Sequence, residues 1–370
     1  MKIRDLEVIK LSSKEFYEKD ALAVKEGAEH YMDVLVIKIV TENGEIGYGE
    51  SIAYGALDAV STTIEKVLKP IILDEEVAPT YLWDKMYKAT FRLGRRGIMI
   101  SAISGVDIAL WDILGKEFGS PIYSILGATN RRIKGYITGG YYRQDKDIEK
   151  LLEEVKSYVD KGFDTVKIKI GGLKIEDDLK RLKAIREEFE NVSIAVDANN
   201  VYDFNTALRV GRELEKLGIM FFEEPIPTDF PSLSAELAKE LDLSIAGYET
   251  AFTLYEFRDI ILNHAVDIVQ ADAAWNGGIT EMLRIGNFAR AFGLPLIPHY
   301  SAGGIGFIAS LHTALATNSP MIEYHLRYNP LREGLVGEIR YEGGEFIPPQ
   351  KPGLGISLKE EYLEKYKVEK

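Results

Sequence analysis

What most limits the fold of this chain is a rhythm that sets in after Lys134. The short apolar runs "KGYITGG", "TVKIKI", "SIAVDA", "MFFEEP", "LSIAGYE", "DIVQAD", "LPLIPH" and "MIEY" follow one another in order. Between them lie amphipathic segments of about a dozen residues, the length and pattern of surface helices. In "DIEKLLEEVKSYVDKG", for example, Ile148, Leu151, Leu152, Val155 and Val159 share one helical face. Several of these segments stop at a glycine, Gly162, Gly218 or Gly293, as helices commonly do. Eight strand–helix units in a row point to a closed parallel barrel, because right-handed crossovers leave few other arrangements. An open doubly wound sheet is the alternative. Upstream the pattern differs. From Met1 to about Arg131, strand-like "VLVIKIV" and "EIGYGES" are joined by the turn "TENGE", and the helical stretch "SAISGVDIALWDILGKEFG" follows. Strands first and helices later is the order of an α+β domain.

Composition removes several classes of function. The chain has 370 residues, more than one ordinary domain needs. It has no cysteine, which excludes disulfides, thiolate metal sites and cysteine nucleophiles. A net charge of −13 argues against a nucleic-acid surface. No run approaches the roughly 20 consecutive apolar residues of a membrane span. The opening "MKIRDLEVIK" alternates like a strand and lacks the apolar stretch of a signal peptide. The expectation is a cytoplasmic protein with a small-molecule partner, and with neither nucleic acid nor membrane as partner.

Ionisable residues recur at one position of the repeat. Lys169, Asp197, Glu223, Glu249, Asp272, His299 and Glu323 each close a successive apolar run, at spacings between 23 and 28 residues. Strand C-termini of a barrel converge on one mouth, where barrel active sites lie. Each residue alone has an ordinary explanation. Asp197 in "DANN" suits a turn, Glu223 ends a strand before a proline, Asp272 could cap the next helix, and His299 could be a hydrogen-bonded core residue. Their shared register needs a shared cause, since charges are seldom buried without a partner. Asp197, Glu223 and Glu249 form an all-oxygen set from neighbouring strands, suited to Mg²⁺. Lys167 and Lys169 stand two apart in "TVKIKI", so both point to the same side of their strand.

On these residues the chain resembles the enolase superfamily, and within it the mandelate racemase subgroup. The resemblance rests on the K-x-K of Lys167 and Lys169, on metal ligands at Asp197, Glu223 and Glu249, on the dyad of His299 and Asp272, and on Glu323. It extends to "SAISGVDIALWDILGK" and "PGLG", which are similar to the family's capping domain. Muconate-lactonizing and dipeptide-epimerase relatives place a lysine at the end of strand six, where "QADAAWNGG" has none, and glucarate-dehydratase relatives carry Asn as third ligand. The resemblance implies a modified TIM barrel, (β/α)7β, with an N-terminal α+β capping domain completed by the C-terminal tail. It divides the chain into residues 1–131, 132–345 and 346–370. Tyr248 and Trp275 are bulkier than the family pattern and are expected to shape the pocket.

The implied chemistry is Mg²⁺-dependent removal of the proton α to a carboxylate, through an enediolate. Lys169, its pKa lowered by Lys167 and the metal, or His299 takes the α-proton. His299, held by Asp272, acts from the opposite face, and a protonated Glu323 donates to the substrate carboxylate. Dehydration of a sugar acid to a 2-keto-3-deoxy acid is the favoured outcome, and racemisation or epimerisation of a 2-hydroxy acid is the alternative. Loops around Phe16–Met32 and Ser51–Leu57 are expected to close over the barrel, with His30, Tyr31 and Asn199 as candidate substrate contacts. A homo-oligomer is expected from the same family. Two readings of other classes compete. "GIGFIA", Gly304–Ala309, matches the G-x-G-x-x-A pattern of a dinucleotide site, and a scaffold could bind an organic acid without turning it over.

Overall fold

The structure is a computed structural model and describes residues 1–13, 32–143 and 146–368. The antiparallel sheet at the start consists of β1 (Ile3–Ser13), β2 (Met32–Thr41) and β3 (Ile46–Ile52). The "TENGE" turn joins β2 and β3, with Thr41 N–H donating to Glu45 O at 3.0 Å. One face of this sheet carries the helix Ile98–Glu117, whose apolar residues are buried all round. Its length and hydropathy match a membrane span, yet 89% of that stretch lies inside the protein. Close packing requires glycine here: a Cβ on Gly49 would lie 1.9 Å from the carbonyl oxygen of Gly105.

The barrel is built from β4 (Ile133–Gly139), β5 (Thr165–Lys169), β6 (Ser193–Asp197), β7 (Phe221–Glu223), β8 (Ser244–Gly247), β9 (Ile268–Val269) and β10 (Met321–Tyr324). Neighbours pair in parallel in that order up to β9, and β10 pairs with β4 from Met321↔Lys134 to Tyr324↔Ile137, closing the ring. The seventh run, "LPLIPH", fills the place between β9 and β10 without becoming a regular strand. It holds a single bridge, Val269↔Leu296, and bonds such as Ile297 N–H to Val269 O at 2.9 Å. Pro295 and Pro298 have no N–H to donate, so a continuous ladder cannot form. After β10 the eighth unit has a short π-helical turn, Pro330–Gly334, in place of a regular helix.

The hairpin of β11 (Tyr341–Glu342) and β12 (Glu345–Phe346) adds antiparallel to β4. The chain then returns to the first sheet, where Val368 N–H donates to Lys10 O at 2.9 Å. The expected capped barrel is therefore the observed architecture.

Inside the ring, each strand changes character two residues along its inward face. Tyr136, Phe221, Ile268, Ile297 and Met321 form an apolar plug at the bottom. Directly above them stand Thr138, Glu223, Gln270, His299 and Glu323, all buried.

The cap meets the barrel at the starts of two barrel helices. Glu50, at zero exposure, accepts from Gly303 N–H at 2.6 Å and Ile305 N–H at 3.2 Å, at the start of the helix Gly304–Ala316. Asp107 accepts from Thr280 N–H at 2.9 Å and Thr280 Oγ1 at 2.6 Å, at the start of the helix Gly278–Ala291. Trp83 Nε1 donates to Gly277 O at 2.8 Å, and Trp111 Nε1 to Thr280 Oγ1 at 2.9 Å. The "GIGFIA" segment is this first helix. Its anion-attracting N-terminus is filled by the chain's own Glu50, which leaves no place there for a pyrophosphate.

Candidate active site

The strand ends bring the predicted cations and carboxylates into one buried network. Lys167 Nζ lies 2.6 and 2.7 Å from the two carboxylate oxygens of Glu223 and 2.8 Å from Glu323 Oε1. Lys169 Nζ bonds Asp197 Oδ2, and donates to Asn199 Oδ1 at 2.8 Å. The Tyr136 ring lies 5.6 Å from the Lys167 ammonium, and the Tyr141 ring 5.6 Å from that of Lys169. These contacts suit cations.

His299 stands between two acids. Its Nε2 is 2.8 Å from Glu249 Oε2 and its Nδ1 3.1 Å from Asp272 Oδ2. Carboxylate oxygens only accept, so both ring nitrogens donate and the ring is an imidazolium as it stands. The other Asp272 oxygen, Oδ1, accepts from Ala274 N–H at 2.8 Å. Asp272 therefore orients the imidazole and holds the turn at Ala274, but it does not cap the following helix Gly278–Ala291, whose start has no side-chain cap. Glu323 also accepts from Thr138 Oγ1, and from Tyr300 N–H at 3.2 Å.

Glu249 reaches the mouth through a break in strand alternation. Gly247, at φ 152°, and Tyr248, at φ 72°, end β8 with two left-handed residues. Tyr248 consequently turns outward, where its hydroxyl donates to Ser234 Oγ at 2.9 Å, and Glu249 takes the inward place. The expectation that Tyr248 shapes the pocket is therefore corrected. Trp275 instead lies edge-on to Tyr54 of the 51–57 loop, centroids 5.1 Å apart. The Tyr54 hydroxyl is 2.6 Å from Ser301 Oγ, so this cap loop touches the barrel two residues past His299. His30, Tyr31 and most of the other loop lie outside the described residues. Asn199 sits at the mouth, donating its N–H to Asp197 Oδ1 at 2.8 Å.

The electrostatics differ from the expectation in two places. Burial is the largest influence on Lys169 and would lower it, but Asp197, Tyr141 and Glu249 together hold the amine well above its ordinary value. Burial would likewise raise Glu323, but Lys167 outweighs it and keeps the carboxylate well below the usual range. Lys169 is thus charged and Glu323 ionised in this arrangement, the reverse of a neutral base and a protonated acid. Burial pushes Glu223 up to about 8, against Lys167 and with help from Asp197, Glu323 and Glu249. Burial also acts to raise Glu249, but His299 holds it down at about 2.

Asp197, Glu223 and Glu249 end β6, β7 and the run of β8, and each is closed on a cation of its own. Among the described residues no three such groups converge tightly enough to hold an ion as they stand. The donor set nevertheless fits a hard divalent cation, being all oxygen and mutually repulsive. The carboxylates gathered here outnumber Lys167, Lys169 and His299, an excess of negative charge that a divalent ion would offset.

Sequence reasoning passed over Gln270, whose Nε2 donates to Glu223 Oε2 at 2.7 Å while its Oε1 has no hydrogen-bond partner among the described residues. It also passed over Glu224, which accepts from Asn200 Nδ2 at 2.5 Å. A signal for Gln270 existed, since it stands two residues before Asp272 on the same face.

Comparison with known proteins places this geometry. Residues 150–362 match the family "Enolase C-terminal domain-like", and residues 17–127 match "Mandelate racemase / muconate lactonizing enzyme, N-terminal domain". An arabinonate dehydratase of Saccharolobus solfataricus is 58% identical over 95% of this chain and 95% of its own. A D-galactonate dehydratase of Pectobacterium atrosepticum is 30% identical over 89% of this chain and 90% of its own. The crystal structure of a 3,6-anhydro-D-galactonate cycloisomerase from Zobellia galactanivorans superposes with a TM-score of 0.89, at 30% identity, covering 100% of both chains. With its capped barrel and with both parts matched, the chain belongs to the enolase superfamily, in the mandelate racemase-like branch.

Proposed function

We propose that this chain dehydrates a sugar acid, with arabinonate as the first candidate, to the corresponding 2-keto-3-deoxy acid. The observation that carries the reading is the pairing of Lys169 with Asp197 on one side of the mouth and of His299 with Asp272 on the other. The 58% identity to an arabinonate dehydratase supports the same reading.

Asp197, Glu223 and Glu249 would hold Mg²⁺, as is typical of the superfamily. A bound Mg²⁺ supplies Lewis acidity, lowering the cost of negative charge on a substrate carboxylate as the α-proton leaves. The chain's own residues do the rest. Once Asp197 is engaged elsewhere, Lys169 loses its anionic partner and, with Lys167 beside it, can take the α-proton as a neutral amine. Lys167 remains on Glu323 and balances carboxylate charge. His299, oriented by Asp272, gives its proton to the departing β-hydroxyl, which leaves as water. The C–H electron pair becomes the new C=C bond, and the resulting enol tautomerises to the ketone.

The reading includes domain limits at 131/132 and 345/346, the second falling inside β12. It also includes a cytoplasmic location and a homo-oligomer, checked by sedimentation. The decisive experiment is proton NMR in D₂O of arabinonate and related sugar acids, with Mg²⁺ and with EDTA. Appearance of a 2-keto-3-deoxy acid in the first and its loss in the second is the expected result. Deuterium at the α-carbon together with a second diastereomer would replace dehydration by epimerisation. No exchange and no product with any acid would leave the binding scaffold.

A further inference from the structure

The last barrel run continues past Glu323 into His325, a residue the mechanism above does not use. His325 is the residue that follows β10 (Met321–Tyr324), near enough to Glu323 to feel its charge and packed beside Tyr141 and Tyr300. Only 8% of the residue is exposed. Its Nε2 lies 3.0 Å from the carbonyl oxygen of Tyr300. A carbonyl cannot donate, so Nε2 carries the proton and Nδ1 is left as a bare acceptor. Nδ1 makes no hydrogen bond to any described residue.

The ring is also fixed in place and in charge. It packs 5.9 Å from the Tyr300 ring and 6.3 Å from the Tyr141 ring. Tyr141 is the same ring that lies 5.6 Å from the Lys169 ammonium, so the imidazole is one aromatic ring away from the proposed base. Burial pulls its pKa down to about 3, with Glu323 acting in the other direction, and the ring stays neutral. The carboxylates of the mouth are all occupied by cations or backbone donors. His325 therefore offers a neutral acceptor that is unpaired among the described residues, whose natural complement is an uncharged donor such as an alcohol.

Resting on the sugar-acid reading, we propose that His325 Nδ1 accepts a hydrogen bond from a substrate hydroxyl on a carbon beyond the two that react. The residue then selects polyhydroxylated acids over simple 2-hydroxy acids.

Two variants separate this role from support of the Tyr300 loop. In His325→Gln the amide nitrogen can still donate to Tyr300 O, but no acceptor stands in place of Nδ1. In His325→Asn an amide occupies the Nδ1 position and the Tyr300 bond is lost. Both are compared with the wild type on arabinonate and on its 4-deoxy and 5-deoxy counterparts. His325→Gln should lower kcat/KM on arabinonate about 10- to 100-fold, the scale of an unmade hydrogen bond, with most of the loss in KM. That loss should vanish on one of the deoxy acids, and His325→Asn should recover part of it on arabinonate. Wild-type behaviour of His325→Gln, or an equal loss on all three acids, overturns the proposal. Should His325→Gln fail to fold, the wild type carries the test through a lower kcat/KM on one of the deoxy acids than on arabinonate. Equal turnover of all three acids by the wild type overturns the proposal. A wild type that converts none of them removes arabinonate as the substrate, and one that converts no sugar acid removes the sugar-acid reading itself, before any variant is compared.

Discussion

His299 faces Glu249 through one nitrogen and Asp272 through the other, while Lys169 shares Asp197 with the backbone of Asn199. The two groups proposed to transfer protons, Lys169 and His299, can be told apart by replacing each. Lys169→Met and His299→Asn should each cut dehydration by about 10²- to 10⁴-fold, the range of general acid–base catalysis. Deuterium uptake then assigns the roles. If Lys169 takes the α-proton, His299→Asn still exchanges that proton in D₂O and Lys169→Met does not; the opposite pattern would reverse the assignment. The charged partners of these residues were legible as a register of strand ends. The resemblance supplied the pair of His299 with Asp272, but not those of Lys169 with Asp197, Lys167 with Glu223 and Glu323, or His299 with Glu249, because ion pairs depend on side-chain reach across strands, which spacing does not encode. Glu249 shows the limit well: only the left-handed Gly247 and Tyr248 turn it inward, and nothing in a simple alternation announces them.

Elements meet one another here through carboxylates seated on helix starts. Glu50 is pushed up to about 8 and Asp107 to about 7, burial being the first cause of each. A carboxyl with a raised folded pKa contributes stability that is full below its unfolded value of about 4.5 and is lost as pH climbs through the folded value. The melting temperature of the wild type minus that of Glu50→Gln should therefore fall as pH rises from about 4.5 to about 8. A difference that stays flat with pH would show Glu50 to be ordinary. Close packing gives a second expectation, read by thermal melting. Gly49→Ala must displace backbone at Gly105 and should cost at least the roughly 1–3 kcal/mol of an overpacked core. Strand–helix alternation was visible in the sequence because amphipathic periods are local. Pro295 and Pro298 were visible too, but their consequence, a seventh position held by a single bridge, follows from hydrogen-bond supply and is lost when apolar runs alone are counted.

Across the whole molecule, buried polar seats join the cap to the barrel while the tail helix Glu360–Tyr366 runs back toward β1. Neither part can leave the other without stripping Glu50, Asp107, Trp83 and Trp111 of their partners, which is costly in a dry interface. Calorimetry should accordingly show one cooperative transition for both parts; two resolved transitions would mean that the seats hold little. The arrangement also partitions the chain into positions that tolerate change and positions that do not. Gly49 and Gly105, together with the two seated carboxylates, are committed to assembly. Tyr54, 59% exposed and reaching Ser301 through its hydroxyl alone, carries no such duty. Substitution at Tyr54 can therefore alter the rim of the mouth without disturbing the core to which its buried neighbour Ala53 belongs, a separation of adjustable rim from fixed keystone within a single loop.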